Sequence, residues 1–317
     1  MSPSSGRPDK TRGTVLITGG TGLLALNWAC ALRGSSRVVL ATHVRHVNLA
    51  GTRATPLALD DPEALRDAFE RYAPDVVVHT AGITSVEACE ADPEHARHVY
   101  ADLSHNVATA AAAAGARLIH ISTDHLYAGT RALYTEDDPP EPVNAYARAK
   151  LAAEAAVAAA NPAALIVRTN FFGWGHRYRR SFSDWIHDAL RDGREITMFD
   201  DVYVTPILAD RLADYAHRLS DLGERGPYNV VGDERISKYD FGIALARTFN
   251  LPERLIRRGK ISASQLSAKR PPDMSLDNSK ARKRLGTALG TVAEHLRLLK
   301  EQGHAGRASE LAGAITE

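Results

Sequence analysis

Short apolar runs alternate with longer stretches whose apolar positions recur every three to four residues, and this rhythm governs the first 170 residues of the chain. The runs at 15–18, 37–41, 76–80, 117–122 and 164–168 are apolar on consecutive positions, the pattern of strands buried on both faces. Between them, 23–33, 62–72, 93–114 and 145–160 read as helices, the last two dense in alanine, the strongest helix former. Strands that alternate with helices imply right-handed crossovers and a parallel, doubly wound α/β sheet. After residue 170 the rhythm loosens into Gly-, Trp- and Arg-rich sequence, with a helix at 182–191 and shorter elements. Three segments are expected: a flexible tail over 1–12, a regular domain over 13–170, and a smaller region over 171–317. The last should pack intimately on the first, with the chain crossing back, and should mainly bind substrate at the carboxyl ends of the strands.

Composition narrows the class. A hydrophobic content of 44% and a charged content of 24% are ordinary for a globular domain. A formal net charge of +1 gives no footing for nucleic acid or an anionic membrane. Two cysteines, Cys30 and Cys89, make no disulfide framework, and the 13 histidines are scattered, so no metal is expected. No apolar run is long enough to span a bilayer, and a cytoplasmic location is the expectation.

The candidate chemistry begins at the first strand-to-helix turn, Thr18-Gly19-Gly20-Thr21-Gly22-Leu23-Leu24-Ala25. Glycines there let backbone N–H groups approach a pyrophosphate, and the following helix aims its positive end at the charge. This makes 13–170 a dinucleotide-binding domain of the Rossmann type. A carboxylate after the second strand would grip the ribose of NAD, but His43 and Arg45 stand there instead. That favours NADPH and leaves NADH possible as a second donor; the alternative is that both residues are merely solvated. Asp60 either caps the helix at 62 or accepts from the adenine amine. The fourth strand ends in Ser122-Thr123-Asp124-His125. The Thr123 hydroxyl can bond a carbonyl under reduction, and Asp124 suits an organising role or a substrate hydroxyl. Tyr146 and Lys150 lie four residues apart on one helix face, where the ammonium should lower the phenol's pKa. A dinucleotide turn with an acidic tyrosine implies hydride transfer coupled to a proton. Farther on, Phe171 and Trp174 are either a wall facing the nicotinamide or plain core. Arg270, before Pro271-Pro272, suits a bidentate grip on a diphosphate, or else a surface ion pair.

These residues in this order resemble the extended short-chain dehydrogenase/reductase family, and within it the dTDP-4-dehydrorhamnose reductase group of sugar-nucleotide 4-ketoreductases. The likeness runs through Pro74-Asp75-Val76-Val77-Val78-His79-Thr80-Ala81-Gly82, Ser122-Thr123-Asp124, Tyr146 and Lys150, and Arg168-Thr169-Asn170-Phe171. It continues in Thr205-Pro206, Ile236-Ser237-Lys238-Tyr239 and Lys269-Arg270-Pro271. It implies NADPH-dependent reduction of a dTDP-linked 4-keto-6-deoxy sugar, with Thr123, Tyr146 and Lys150 catalytic. It further implies cofactor contacts at Thr80, Ala81, Gly82, Ser122 and Thr169, and sugar contacts at Thr84, Ser85, Asp124, His125 and Asn170. A nucleotide-sugar partner follows, and a homodimer is compatible. The resemblance leaves two alternatives: a dinucleotide-binding regulatory subunit without turnover, or an epimerase or dehydratase. Some positions depart from the group, notably His125, Phe171, and Tyr100, where an asparagine is usual.

Overall fold

The computed structural model describes residues 13–263 and 267–316. Seven parallel strands form its central sheet: β1 (Thr14–Thr18), β2 (Arg37–Thr42), β3 (Thr52–Pro56), β4 (Val76–His79), β5 (Arg117–Ile121), β6 (Leu165–Arg168) and β7 (Gly226–Asn229). Their spatial order is β7-β6-β5-β4-β1-β2-β3, with the reversal at β1 that a doubly wound sheet requires. Alternate residues of each strand enter opposite cores. Val15, Ile17, Val38, Leu40, Val76 and Val78 pack with α1 (Leu23–Leu32) and residues such as Leu212 and Leu296 on one face. Leu16, Val39, Val77, Leu118 and Ile166 pack with α2 (Pro62–Tyr72), α3 (Leu103–Ala113) and α4 (Ala145–Ala160) on the other. The fold is thus a Rossmann-type sheet between two helical layers.

The five inner strands stand where the apolar runs lie, within a residue or two. The two edge strands, β3 and β7, carry no apolar run; they read Thr-Arg-Ala-Thr-Pro and Gly-Pro-Tyr-Asn. An edge tolerates proline and polar residues because one side of its backbone pairs with nothing. The expected helix at 93–114 is interrupted: Pro93–Arg97 is α-helical, His98–Asp102 forms a wider π turn, and α3 follows. At the start of α2, Asp61 rather than Asp60 is the cap, accepting from the amides of Glu63 at 2.9 Å and Ala64 at 3.2 Å. Pro62 occupies the first helical position, so the residue before it must be the cap. Beyond β6, short strand pairs and further helices follow, among them α5 (Phe182–Arg191), α6 (Ala209–Asp221) and α7 (Lys238–Phe249). Among the described residues no helix is long and apolar enough to cross a membrane.

Candidate active site

The glycine turn leaves β1 and folds tightly against its neighbours. Gly20 donates to the Ala41 carbonyl at 2.8 Å, tying the turn to the end of β2. Gly19 has a φ of +69°, and a Cβ there would lie 2.7 Å from the Ala81 backbone, so only glycine fits. Gly22 caps α1 without any side-chain hydrogen bond. The first-turn amides at Leu23 and Leu24 therefore face no side-chain cap, the arrangement that suits an anion.

Beneath this turn runs a buried polar chain. Thr18 Oγ1 pairs with His79 Nδ1 at 2.6 Å, and His79 Nε2 pairs with Ser104 Oγ at 2.9 Å. Burial holds His79 down to about 3, so its ring is neutral. Thr80 donates to the Thr18 carbonyl at 2.7 Å, fixing Thr80-Ala81-Gly82 against the glycine turn. Ser122 is buried with its hydroxyl unpartnered, whereas the Thr169 hydroxyl is committed to the Val230 carbonyl at 2.8 Å.

Asn144 starts α4, its side chain accepting from the Ala147 amide and donating to the Lys269 carbonyl at 2.8 Å each. That anchor sets Tyr146 and Lys150 toward the ends of β5 and β4. Lys150 is 5% exposed and donates to the Ile121 carbonyl at 2.6 Å; burial pulls its pKa down to about 8. Tyr146 is half-buried, with the Thr123 hydroxyl in hydrogen-bond range of its phenol. Its phenol is not acidified as the helical spacing suggests. Dense packing pushes it up to about 12, more than the Thr123 bond offsets, while the Lys150 ammonium is turned to a backbone carbonyl.

Asp124 is 2% exposed and accepts from Asn170 Nδ2 at 2.7 Å and Thr123 Oγ1 at 3.3 Å. Burial pushes its carboxyl up to about 7 despite these bonds. His125, made neutral by burial, stands edge-on to the Tyr146 ring at 5.4 Å between centroids. Lys238, at the start of α7, faces Asp124 and Arg270, and burial draws its pKa down. It belongs to this cluster although the sequence marked it only as part of a motif. A titration follows from Asp124. Its unfolded value is near 3.8 and its folded value near 7, so the native state holds the extra proton between them. Stability contributed by that proton is full below about 4 and is lost as pH rises toward 7. Thermal melts of wild type against Asp124→Asn should diverge progressively across that window and run parallel above it. Parallel curves throughout would place the carboxyl at its ordinary pKa.

The far wall departs from expectation. Trp174 is core: it is 5% exposed, and its indole N–H donates to the Leu299 carbonyl at 3.0 Å, so it faces away from the cleft. Phe171 is half-buried against the same core. A tight turn at 176–179, closed by reciprocal backbone bonds of 3.0 Å between His176 and Arg179, stands at this edge of the sheet instead. It bridges three loops of the sheet edge. His176 lies beside the Thr21 backbone, Arg45 stacks on the Tyr178 ring at 4.6 Å, and Arg179 donates to the Thr84 carbonyl at 2.9 Å. Arg45, His43 and Asp60 are all exposed, and of the three Arg45 has its guanidinium laid over an aromatic ring. Ser85 caps the helix at Val86–Ala91, its hydroxyl oxygen accepting from Ala88 at 3.1 Å. Arg270 pairs with Glu87 at 2.5 Å and keeps a second buried guanidinium nitrogen without a partner. No arrangement of the described residues gathers three metal-ligating side chains.

A doubly wound sheet with a glycine turn, a Ser-Thr-Asp strand end and a Tyr-x-x-x-Lys helix defines an extended short-chain dehydrogenase/reductase. The chain belongs to the RmlD substrate-binding-domain family, whose model matches residues 13–303. It is 29% identical over 289 residues to the probable low-salt glycan biosynthesis reductase Agl14 of Haloferax volcanii, covering 90% of this chain and 96% of that one. It is 31% identical to the methionine adenosyltransferase 2 subunit beta of Rattus norvegicus, over 84% of this chain and 80% of the other. The crystal structure of a hypothetical dTDP-4-dehydrorhamnose reductase from Sulfolobus tokodaii superposes with a TM-score of 0.76 at 31% identity. That superposition covers 88% of this chain and 97% of that one.

Proposed function

We propose that this chain reduces the 4-keto group of a dTDP-linked 4-keto-6-deoxy sugar, with NADPH as donor and Tyr146 as proton source. The observation that carries the reading is Tyr146 beside Thr123 at the carboxyl edge of a sheet whose first turn presents an uncapped helix N-terminus. NADPH supplies the hydride. The turn from Gly19 through Thr21 and Gly22 fits its pyrophosphate, which the first-turn amides of Leu23 and Leu24 would meet, His43 and Arg45 fit its 2′-phosphate, and Asp60 its adenine. Thr80, Ala81, Gly82, Ser122 and Thr169 fit the rest of the cofactor, with Lys150 toward the ribose. As negative charge builds on the sugar oxygen, Tyr146 delivers its proton and Thr123 donates a hydrogen bond to the same atom. A phenol held near 12 is protonated at every working pH, as a proton donor must be. Thr84, Ser85, Asp124, His125, Asn170 and Phe171 fit the sugar end. Arg270, with its spare guanidinium nitrogen, fits the diphosphate. Residues 13–170 with β7 are then the cofactor half, and 171–317 mainly the substrate half.

The test is NADPH consumption with dTDP-4-dehydrorhamnose. Wild type should oxidise NADPH with the nucleotide-linked sugar and far more slowly with the free 4-keto sugar; equal efficiency on both would overturn the assignment. Arg45→Ala should lower the preference for NADPH over NADH by one to two decades, the weight of about 1.5–3 kcal/mol in a charge-assisted bond. An unchanged preference would remove Arg45 from the 2′-phosphate site. The likeness to a methionine adenosyltransferase subunit supports a second reading, a dinucleotide-binding regulatory subunit. Tight NADPH binding without consumption against a panel of 4-keto sugar nucleotides would favour it.

A further inference from the structure

Tyr100 stands at the middle of the π turn His98–Asp102 and is 4% exposed. A π turn adds a residue to the helix and swings its side chain toward a neighbour, a device common near functional sites. Here the neighbour is the Tyr146 and Lys150 face of α4. Lys150 Nζ lies 4.9 Å from the centre of the Tyr100 ring, over its face. The same ring meets the Tyr146 ring in a T-shaped contact, at 5.7 Å between centroids and an interplanar angle of 81°. The Tyr100 hydroxyl donates to the Ile83 carbonyl, which stops the ring from swinging. Gly82 makes room for it: a Cβ at that position would fall 2.4 Å from the ring.

The ring matters because of what else surrounds the ammonium. On the sheet side Lys150 faces His79 and His120, both held neutral by burial. On its own helix it faces Glu154, which is already engaged by Arg168 at 2.7 Å. Cys89 bears on Tyr100 and Tyr146, and burial raises its thiol, which keeps it neutral. One backbone carbonyl, from Ile121, accepts from the ammonium. A buried cation with so few partners is costly, and the negative face of an aromatic ring is a compensating attraction that adds no net charge.

We propose that Tyr100 is a positioning residue: its ring face holds the Lys150 ammonium, and its T-shaped contact sets the plane of Tyr146. It acts through those two residues and rests on the reductase reading only for its kinetic consequence. Bulk and quadrupole can be separated by comparing Tyr100→Phe with pentafluorophenylalanine at position 100, which keeps the ring but removes its negative face. The readout is the titration of the Lys150 side chain, followed by NMR of ¹³C-lysine protein and assigned by Lys150→Arg; it needs no substrate. Tyr100→Phe should titrate near wild type, and the fluorinated ring should lower the midpoint by about one unit. The basic limb of the pH–rate profile with dTDP-4-dehydrorhamnose should move down with it. Equal midpoints in the two aromatic variants would overturn the proposal, since a merely structural ring would serve either way. If wild type reduces no 4-keto sugar nucleotide, the reductase reading falls and the lysine titration still decides the role of Tyr100.

Discussion

Tyr146→Phe is expected to depress turnover by about 10²- to 10⁴-fold, the usual contribution of a placed general acid. The variant removes one oxygen and leaves the ring that packs against Tyr100 and His125. The glycine turn and the Lys150–Ile121 bond are untouched, so NADPH affinity should stay near wild type. Such a split, turnover lost and binding kept, marks a group whose contribution appears in the transition state. Stopped-flow reduction at saturating substrate with NADPH binding by fluorescence would measure both halves. Near-normal turnover in Tyr146→Phe would move the proton donation elsewhere, and the protonated carboxyl of Asp124, titrating near 7, would be the next group to examine.

Glu154→Ala should destabilise the protein by about 3–5 kcal/mol, the cost of breaking a buried ion pair from one side. Arg168 and Glu154 are 5% and 6% exposed, and the guanidinium engages both carboxylate oxygens, at 3.0 Å from Nε and 2.7 Å from Nη2. Removing the carboxylate strands a buried charge whose remaining side-chain partner is the Tyr127 hydroxyl at 2.8 Å. The pair joins α4, one turn beyond Lys150, to the end of β6 just before Thr169 and Asn170. Replacing both partners, Glu154→Leu with Arg168→Met, should recover most of the loss, because no charge is left stranded. Urea denaturation of the single and double variants measures the difference. A double variant as unstable as the single one would mean that the ion pair itself, rather than the stranded cation, carries the stability.

Much of this architecture is legible along the chain. The five inner strands are apolar runs because a doubly covered parallel strand admits little else, and α4 shows itself by Tyr146 and Lys150 four residues apart. The edge strands are silent for the opposite reason: one-sided pairing asks nothing distinctive of Thr52–Pro56 or Gly226–Asn229. Two adjacent aspartates precede Pro62, and of the two roles open to Asp60 the capping one falls to Asp61, a choice that only backbone geometry makes. Tryptophan near a cleft motif reads equally as wall or core; the Leu299 carbonyl, 125 residues away, drew Trp174 into the core.

By itself, then, the sequence determines the order of elements, the dinucleotide turn and the helix that carries Tyr146 and Lys150, because these follow from periodicity and short-range spacing. Only the tertiary structure decides what surrounds them. Desolvation raises Tyr146 where local spacing predicts a fall, since burial depends on elements distant in the chain. The same holds for the turn at 176–179 clasping Arg45 and Thr84, and for Tyr100 placed under Lys150 by a π turn. Long-range packing settles each of them, and no local pattern encodes it.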